Sequence, residues 1–145
     1  GLGPGLFAAA MTVGRLGTHL LGARLSEVRL VMGGGVLIAA GSLLLALATV
    51  PWVALTGILI VGSGVSVLAP TLFSAVGRRS KPGRQGADLA AVSALGYVGF
   101  LAGPPIVGLI SGASSLPFAL GLLGLLGLGL TAAAPRVLRD PARLA

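Results

Sequence analysis

The 145-residue sequence has no cysteine, one histidine, one tryptophan, one tyrosine and only three acidic residues. Without cysteine there is no disulfide framework, no thiolate metal site and no thiol nucleophile. Charged residues make up 9% of the chain, against about 25% in an average soluble domain. A globule of this length cannot cover itself with so little polarity, which excludes a soluble enzyme. Hydrophobic residues supply 55% and the mean hydropathy is +1.04, which excludes a disordered tail. The composition is that of a membrane protein.

What the sequence does contain is long uncharged stretches. Leu30–Gly77 (48 residues) and Leu89–Pro135 (47 residues) carry no ionisable Asp, Glu, Lys or Arg. A helix rises 1.5 Å per residue and crosses the hydrocarbon in about 20 residues, so each stretch accommodates two crossings and a tight turn. Thr49-Val50-Pro51-Trp52 and the segment Gly112 to Pro117 supply the breakers. Residues from Leu2 to about Leu21 form one more span. The reading is an all-α membrane protein of five transmembrane helices, at about 2–21, 30–49, 52–76, 89–111 and 116–135. Residues 1–138 make one transmembrane domain and 139–145 a tail.

The net charge of +7 is distributed by position. Arg24, Arg29, Arg78, Arg79, Lys81, Arg84, Arg136, Arg139 and Arg143 all fall in alternate gaps, while the turns near 50 and 114 have no cation. Positive residues accumulate on the cytoplasmic side, so the multi-pass chain is expected in the plasma or inner membrane with its C-terminus inside. The clusters lack interleaved aromatics and sit at helix ends, which argues against nucleic acid. Five spans with an inner C-terminus put the N-terminus outside, and the abrupt Gly1-Leu2-Gly3-Pro4-Gly5 opening suggests a fragment, a half-protein or a missing upstream segment.

Small residues recur at four-residue spacing: Gly14-Thr18-Gly22, Gly62-Ser66, Gly99-Gly103 and Gly108-Gly112, with Gly121, Gly124 and Gly127 three apart. Such stripes let helix backbones approach in lipid. Pro70 and Pro104-Pro105 lie inside spans, where each removes a backbone hydrogen bond and makes a candidate hinge. Among polar groups, Arg15 lies about 13 Å inside the first loop arginine and reads either as a snorkelling side chain or as a path or gate cation. His19 could titrate near neutrality, Tyr97 is either interfacial packing or a substrate contact, and Asp88 is placed to cap the fourth span. No acid lies within a span. Gly1-Leu2-Gly3-Pro4-Gly5-Leu6 and Gly62-Ser63-Gly64-Val65-Ser66-Val67 each lack the third glycine of a dinucleotide loop. No catalytic constellation, metal-ligand set or cofactor site is expected.

Gly96-Tyr97-Val98-Gly99-Phe100-Leu101-Ala102-Gly103-Pro104-Pro105-Ile106-Val107-Gly108 resembles the eleventh helix of the major facilitator superfamily, and its glycine–proline pattern resembles that family's antiporter motif. Met11 to Leu16 resembles the eighth helix, and Leu68 to Arg78 the end of the tenth. The resemblance covers 1–138 as helices eight to twelve. It implies part of a secondary active transporter that moves a small solute by alternating access, incomplete without an N-terminal half or a partner membrane subunit. It implies path residues Arg15 and Tyr97 and gate or hinge residues Gly14, His19, Arg24, Pro70, Gly99, Gly103, Pro104, Pro105 and Gly108. The chain departs from the family where Gly14 to Arg24 lacks the expected acid. The alternative is a non-transporting helical bundle, either a degenerate remnant or an oligomerising interaction protein.

Overall fold

A computed structural model describes residues 4, 5, 7–9, 11, 12, 14 and 25–138. Four helices follow one another: α1 (Glu27–Ala46), α2 (Pro51–Arg79), α3 (Gln85–Ala113) and α4 (Leu116–Leu138). All four are long and apolar enough to cross a membrane. The described residues of the expected first span, Pro4 to Gly14, are helical as well. The all-α membrane bundle inferred from composition is what forms.

Local chemistry sets the helix ends. Ser26 caps α1, its Oγ accepting from the Arg29 N–H at 3.4 Å, and Glu27 follows in the first turn, where the positive helix end favours an acid. Val50 is extended at φ −129° because a residue before proline avoids the helical region, and Pro51 then opens α2, where a missing N–H costs nothing. At the other end of α2 two arginines, Arg78 and Arg79, complement the negative terminus. Ser115 starts α4 by accepting from the Phe118 N–H at 3.4 Å. Asp88, expected as the α3 cap, is not one. Arg84 is the cap residue and Asp88 sits a turn inside, its carboxylate 4.0 Å from Arg84 Nε. The Pro82-Gly83 turn starts the helix earlier than the acid alone suggested.

Packing follows the glycines. α1 is the central helix, with α2 on one side and α4 on the other. Gly34 and Gly41 of α1 face Gly64 and Gly57 of α2, the numbers falling on one helix as they rise on the other, as antiparallel neighbours require. A Cβ on Gly41 would stand 2.9 Å from the Gly57 carbonyl oxygen, and one on Gly64 would stand 2.7 Å from that of Gly34. Across the other seam, a Cβ on Gly127 would lie 2.7 Å from the Gly35 carbonyl oxygen, and one on Gly35 would lie 2.6 Å from that of Gly127. No side chain fits there. Backbone-to-backbone approach of this kind is how helices associate in a solvent as apolar as their own side chains. The glycine pairs on α1 and α2 are each seven residues apart, which keeps one seam aligned along antiparallel helices.

A small apolar cluster of Val31, Leu68, Ala75, Ala134 and Leu138 closes the three-helix core. Polar side chains at depth are satisfied locally: Ser63, Ser66 and Thr71 donate to the Leu59, Ser63 and Val67 carbonyls of their own helix. Thr131 donates to its own Gly127 carbonyl at 3.0 Å and reaches the Met32 carbonyl of α1 at 3.3 Å. That second bond crosses the α1–α4 seam. α3 stands apart, with no buried residue along its 29.

Candidate functional site

Two regions gather the polar and motif residues. The first is the charged end of the bundle. Glu27, beginning α1, pairs with Arg78 and with Arg79 Nη1, the latter at 2.9 Å. Arg79 Nη2 also donates to the Leu138 carbonyl at 2.7 Å, at the C-terminal end of α4. One guanidinium therefore ties α1, α2 and α4 together at one level, using the planar fork that suits arginine to several acceptors at once. Gln85 adds α3 to this end, its Nε2 donating to the Gly77 carbonyl at 3.0 Å. The opposite end, at 47–50 and 114–115, carries no charge.

The second region is the free side of α3. Tyr97, Gly99, Pro104, Pro105 and Gly108 are exposed and Gly103 is half-buried, while Tyr97 itself is 70% exposed. A Cβ added at Gly99, Gly103 or Gly108 would meet nothing within 4 Å. The motif glycines thus have room for side chains among the described residues, unlike the seam glycines Gly34, Gly35, Gly41, Gly57 and Gly64 of α1 and α2. Leu95, Phe100, Leu101 and Leu109 are exposed beside them. α3 continues through Pro104-Pro105, as α2 continues through Pro70, which is also exposed.

Gly14 lies against α2, where a Cβ on it would collide with the Ser66 hydroxyl and stand 3.4 Å from the Ser63 carbonyl oxygen. Ser66 of the expected Gly62-Ser66 stripe therefore contacts the first helical stretch, while Gly64 between them faces α1. Arg15, His19 and Arg24 lie outside the described residues.

Sequence reasoning missed Arg79 and Glu27 as a unit, because their contact spans 52 residues. It also missed Gly34, Gly35, Gly41 and Gly57. The signal in the sequence is the seven-residue spacing of Gly34 with Gly41 and of Gly57 with Gly64, which differs from the four-residue stripes. On α4, Gly124 and Gly127 are buried as expected, while Gly121 has open space.

This geometry frames the comparison with known proteins. The chain is 35% identical over 139 residues to an uncharacterized MFS-type transporter of Yersinia pestis, a match covering 96% of the chain and 36% of that protein. Its fold matches a crystal structure of a peptide transporter, POT, in complex with alafosfalin, with a TM-score of 0.77 at 23% identity, over 94% of the chain and 32% of that protein. No family model matches. The chain spans about a third of the length of both of these proteins. It is a multi-pass membrane bundle homologous to part of an MFS-type transporter, and the resemblance to the major facilitator superfamily is borne out. A C-terminal portion fits these findings.

Proposed function

We propose that the chain is the C-terminal portion, helices eight to twelve, of a secondary active transporter that moves a small solute across the cell membrane by alternating access. On this reading residues 1–138 are a partial transporter domain and 139–145 its cytoplasmic tail. It works with the complementary portion of such a transporter, covalently joined or as a partner subunit, and it is not an enzyme. The observation that carries the reading is the contrast between helices. α1, α2 and α4 form a finished core around glycine seams, whereas α3 presents its glycine–proline motif to no described neighbour. Gly99, Gly103, Pro104, Pro105 and Gly108 then form a sliding surface for the other half. Tyr97 and Arg15 border the solute path, and Gly14, His19, Arg24 and Pro70 serve the gate. An inner-leaflet position for the arginine-rich end follows from the positive-inside rule.

A chimera tests this. The segment of the Yersinia relative that matches this chain is replaced by the chain itself, and sealed vesicles are exposed to a panel of small solutes analysed by mass spectrometry. Solute accumulation that Gly103→Leu abolishes, while the chimera still inserts, supports the proposal, since that position has open space in the chain alone. An inserted chimera that moves nothing the parent relative moves overturns it.

A further inference from the structure

The connection between α2 and α3 is a preorganised pair of cations. The Arg84 N–H donates to the Lys81 carbonyl at 3.0 Å, closing a four-residue turn over Pro82 and Gly83. Gly83 has φ +82°. Proline second and a left-handed glycine third define a type II turn, which holds its first and last Cα atoms within about 7 Å. Those two residues are Lys81 and Arg84. Bringing two cations this close is unfavourable unless anionic charge meets them.

The local acids do not meet that demand. Glu27 is committed to Arg78 and Arg79. Asp88 reaches Arg84 at only 4.0 Å, and the Arg84 side chain remains 72% exposed. Lys81 has no ion-pair partner among the described residues, and both cations are exposed. The turn also sits at a defined depth. The uncharged run of α2 ends at Gly77 and that of α3 begins at Leu89, so Lys81 and Arg84 stand where hydrocarbon gives way to lipid headgroups.

We infer that the Lys81-Pro82-Gly83-Arg84 turn is a binding site for the phosphate of an anionic phospholipid of the inner leaflet. The Lys81 ammonium and the Arg84 guanidinium donate to the phosphate oxygens from two sides, a charge-assisted arrangement suited to lysine as a point charge and arginine as a fork. The proline and glycine hold the backbone positions from which the two side chains extend close together. The inference rests on the proposed membrane orientation, with the arginine-rich end at the inner leaflet, and it stands whether or not the chain takes part in transport.

The chain's lack of cysteine allows a clean test. Ala87→Cys, exposed at the start of α3, carries a fluorophore in phosphatidylcholine vesicles doped with either phosphatidylglycerol or phosphatidylcholine bearing a quencher high on the acyl chain. Ser114→Cys reports on the uncharged end. Quenching at position 87 should favour phosphatidylglycerol, fall about fivefold in relative affinity for each of Lys81→Gln and Arg84→Gln, and weaken with salt. Position 114 should show no preference. A Pro82→Ala/Gly83→Ala variant keeps both charges but relaxes the turn, and it should also lose part of the preference. Equal quenching by the two lipids at position 87 would overturn the inference. So would an undiminished preference in the Lys81→Gln/Arg84→Gln variant, full retention in the relaxed turn, or complete displacement by free inorganic phosphate.

Discussion

Gly33 and Gly41 occupy the same helix, two turns apart, and the structure assigns opposite signs to the same substitution. At Gly33 a Cβ meets nothing within 4 Å. Gly33→Ala there adds only helix propensity, stabilising by up to about 1 kcal/mol. At Gly41 the added carbon would stand 2.7 Å from Val61 Cγ2, 2.8 Å from the Val61 backbone nitrogen and 2.9 Å from the Gly57 carbonyl oxygen. Two of these three atoms belong to backbone and cannot rotate away, so α1 and α2 must separate by about half an ångström. A gap of that size forfeits roughly a quarter of each affected van der Waals well, and overpacking of this kind costs about 1–3 kcal/mol. Set against the full propensity gain, Gly41→Ala should destabilise by up to about 2 kcal/mol. The assay is the temperature at which half the detergent-solubilised chain is lost from the monodisperse size-exclusion peak. The midpoint should rise or stay level for Gly33→Ala and fall for Gly41→Ala. Equal shifts in one direction would refute the glycine-seam account of the core.

Arg79→Gln should lower the same midpoint by an amount equivalent to about 1 kcal/mol, because exposed ion pairs are individually weak while the contact with the Leu138 carbonyl is also lost. A double-mutant cycle with Glu27→Gln should give a positive coupling energy, and additivity would show that the pair is incidental. Thr131→Val should cost about 0.6 kcal/mol, the usual value of an interhelical side-chain bond in lipid, and an unchanged midpoint would remove that bond from the α1–α4 seam. Single cysteines at Pro82 and Ser114 should label from the cytoplasmic and external sides respectively in intact cells. Reversed labelling would refute the orientation.

Much of the architecture could be read without coordinates. Pro51 and the Gly112 to Pro117 segment mark helix boundaries through proline geometry and small-residue turns that act within a few residues, whereas the Ser26 cap that starts α1 at Glu27 was not anticipated. The charged end was equally legible, since Arg78, Arg79, Lys81 and Arg84 interrupt the apolar stretch together. Asp88 shows the limit of such local reading: an acid near a helix start is compatible with the cap or with the first turn, and the Pro82-Gly83 turn selected the latter. Tyr97 and the α3 glycines stand out in the sequence by small-residue spacing and by motif, and the bundle leaves Tyr97, Gly99 and Gly108 exposed. Gly34 and Gly41 passed unnoticed although they pack backbone against backbone.

The order of the apolar spans was legible in the sequence, because charge is costly in hydrocarbon and arginine clusters bound the long uncharged runs, while Pro51 and the 112–117 segment divide each run in two. Which glycines touch was decided only by tertiary structure. In a soluble helix a polar face declares which side is outside, but here the lipid-facing and helix-facing sides are both apolar, and nothing in the pattern separates Gly33 from Gly34. The Arg79 clamp needed the fold for a related reason: its acceptors, Glu27 and the Leu138 carbonyl, lie 52 and 59 residues away, and only the packing of α1, α2 and α4 brings them within reach of one side chain.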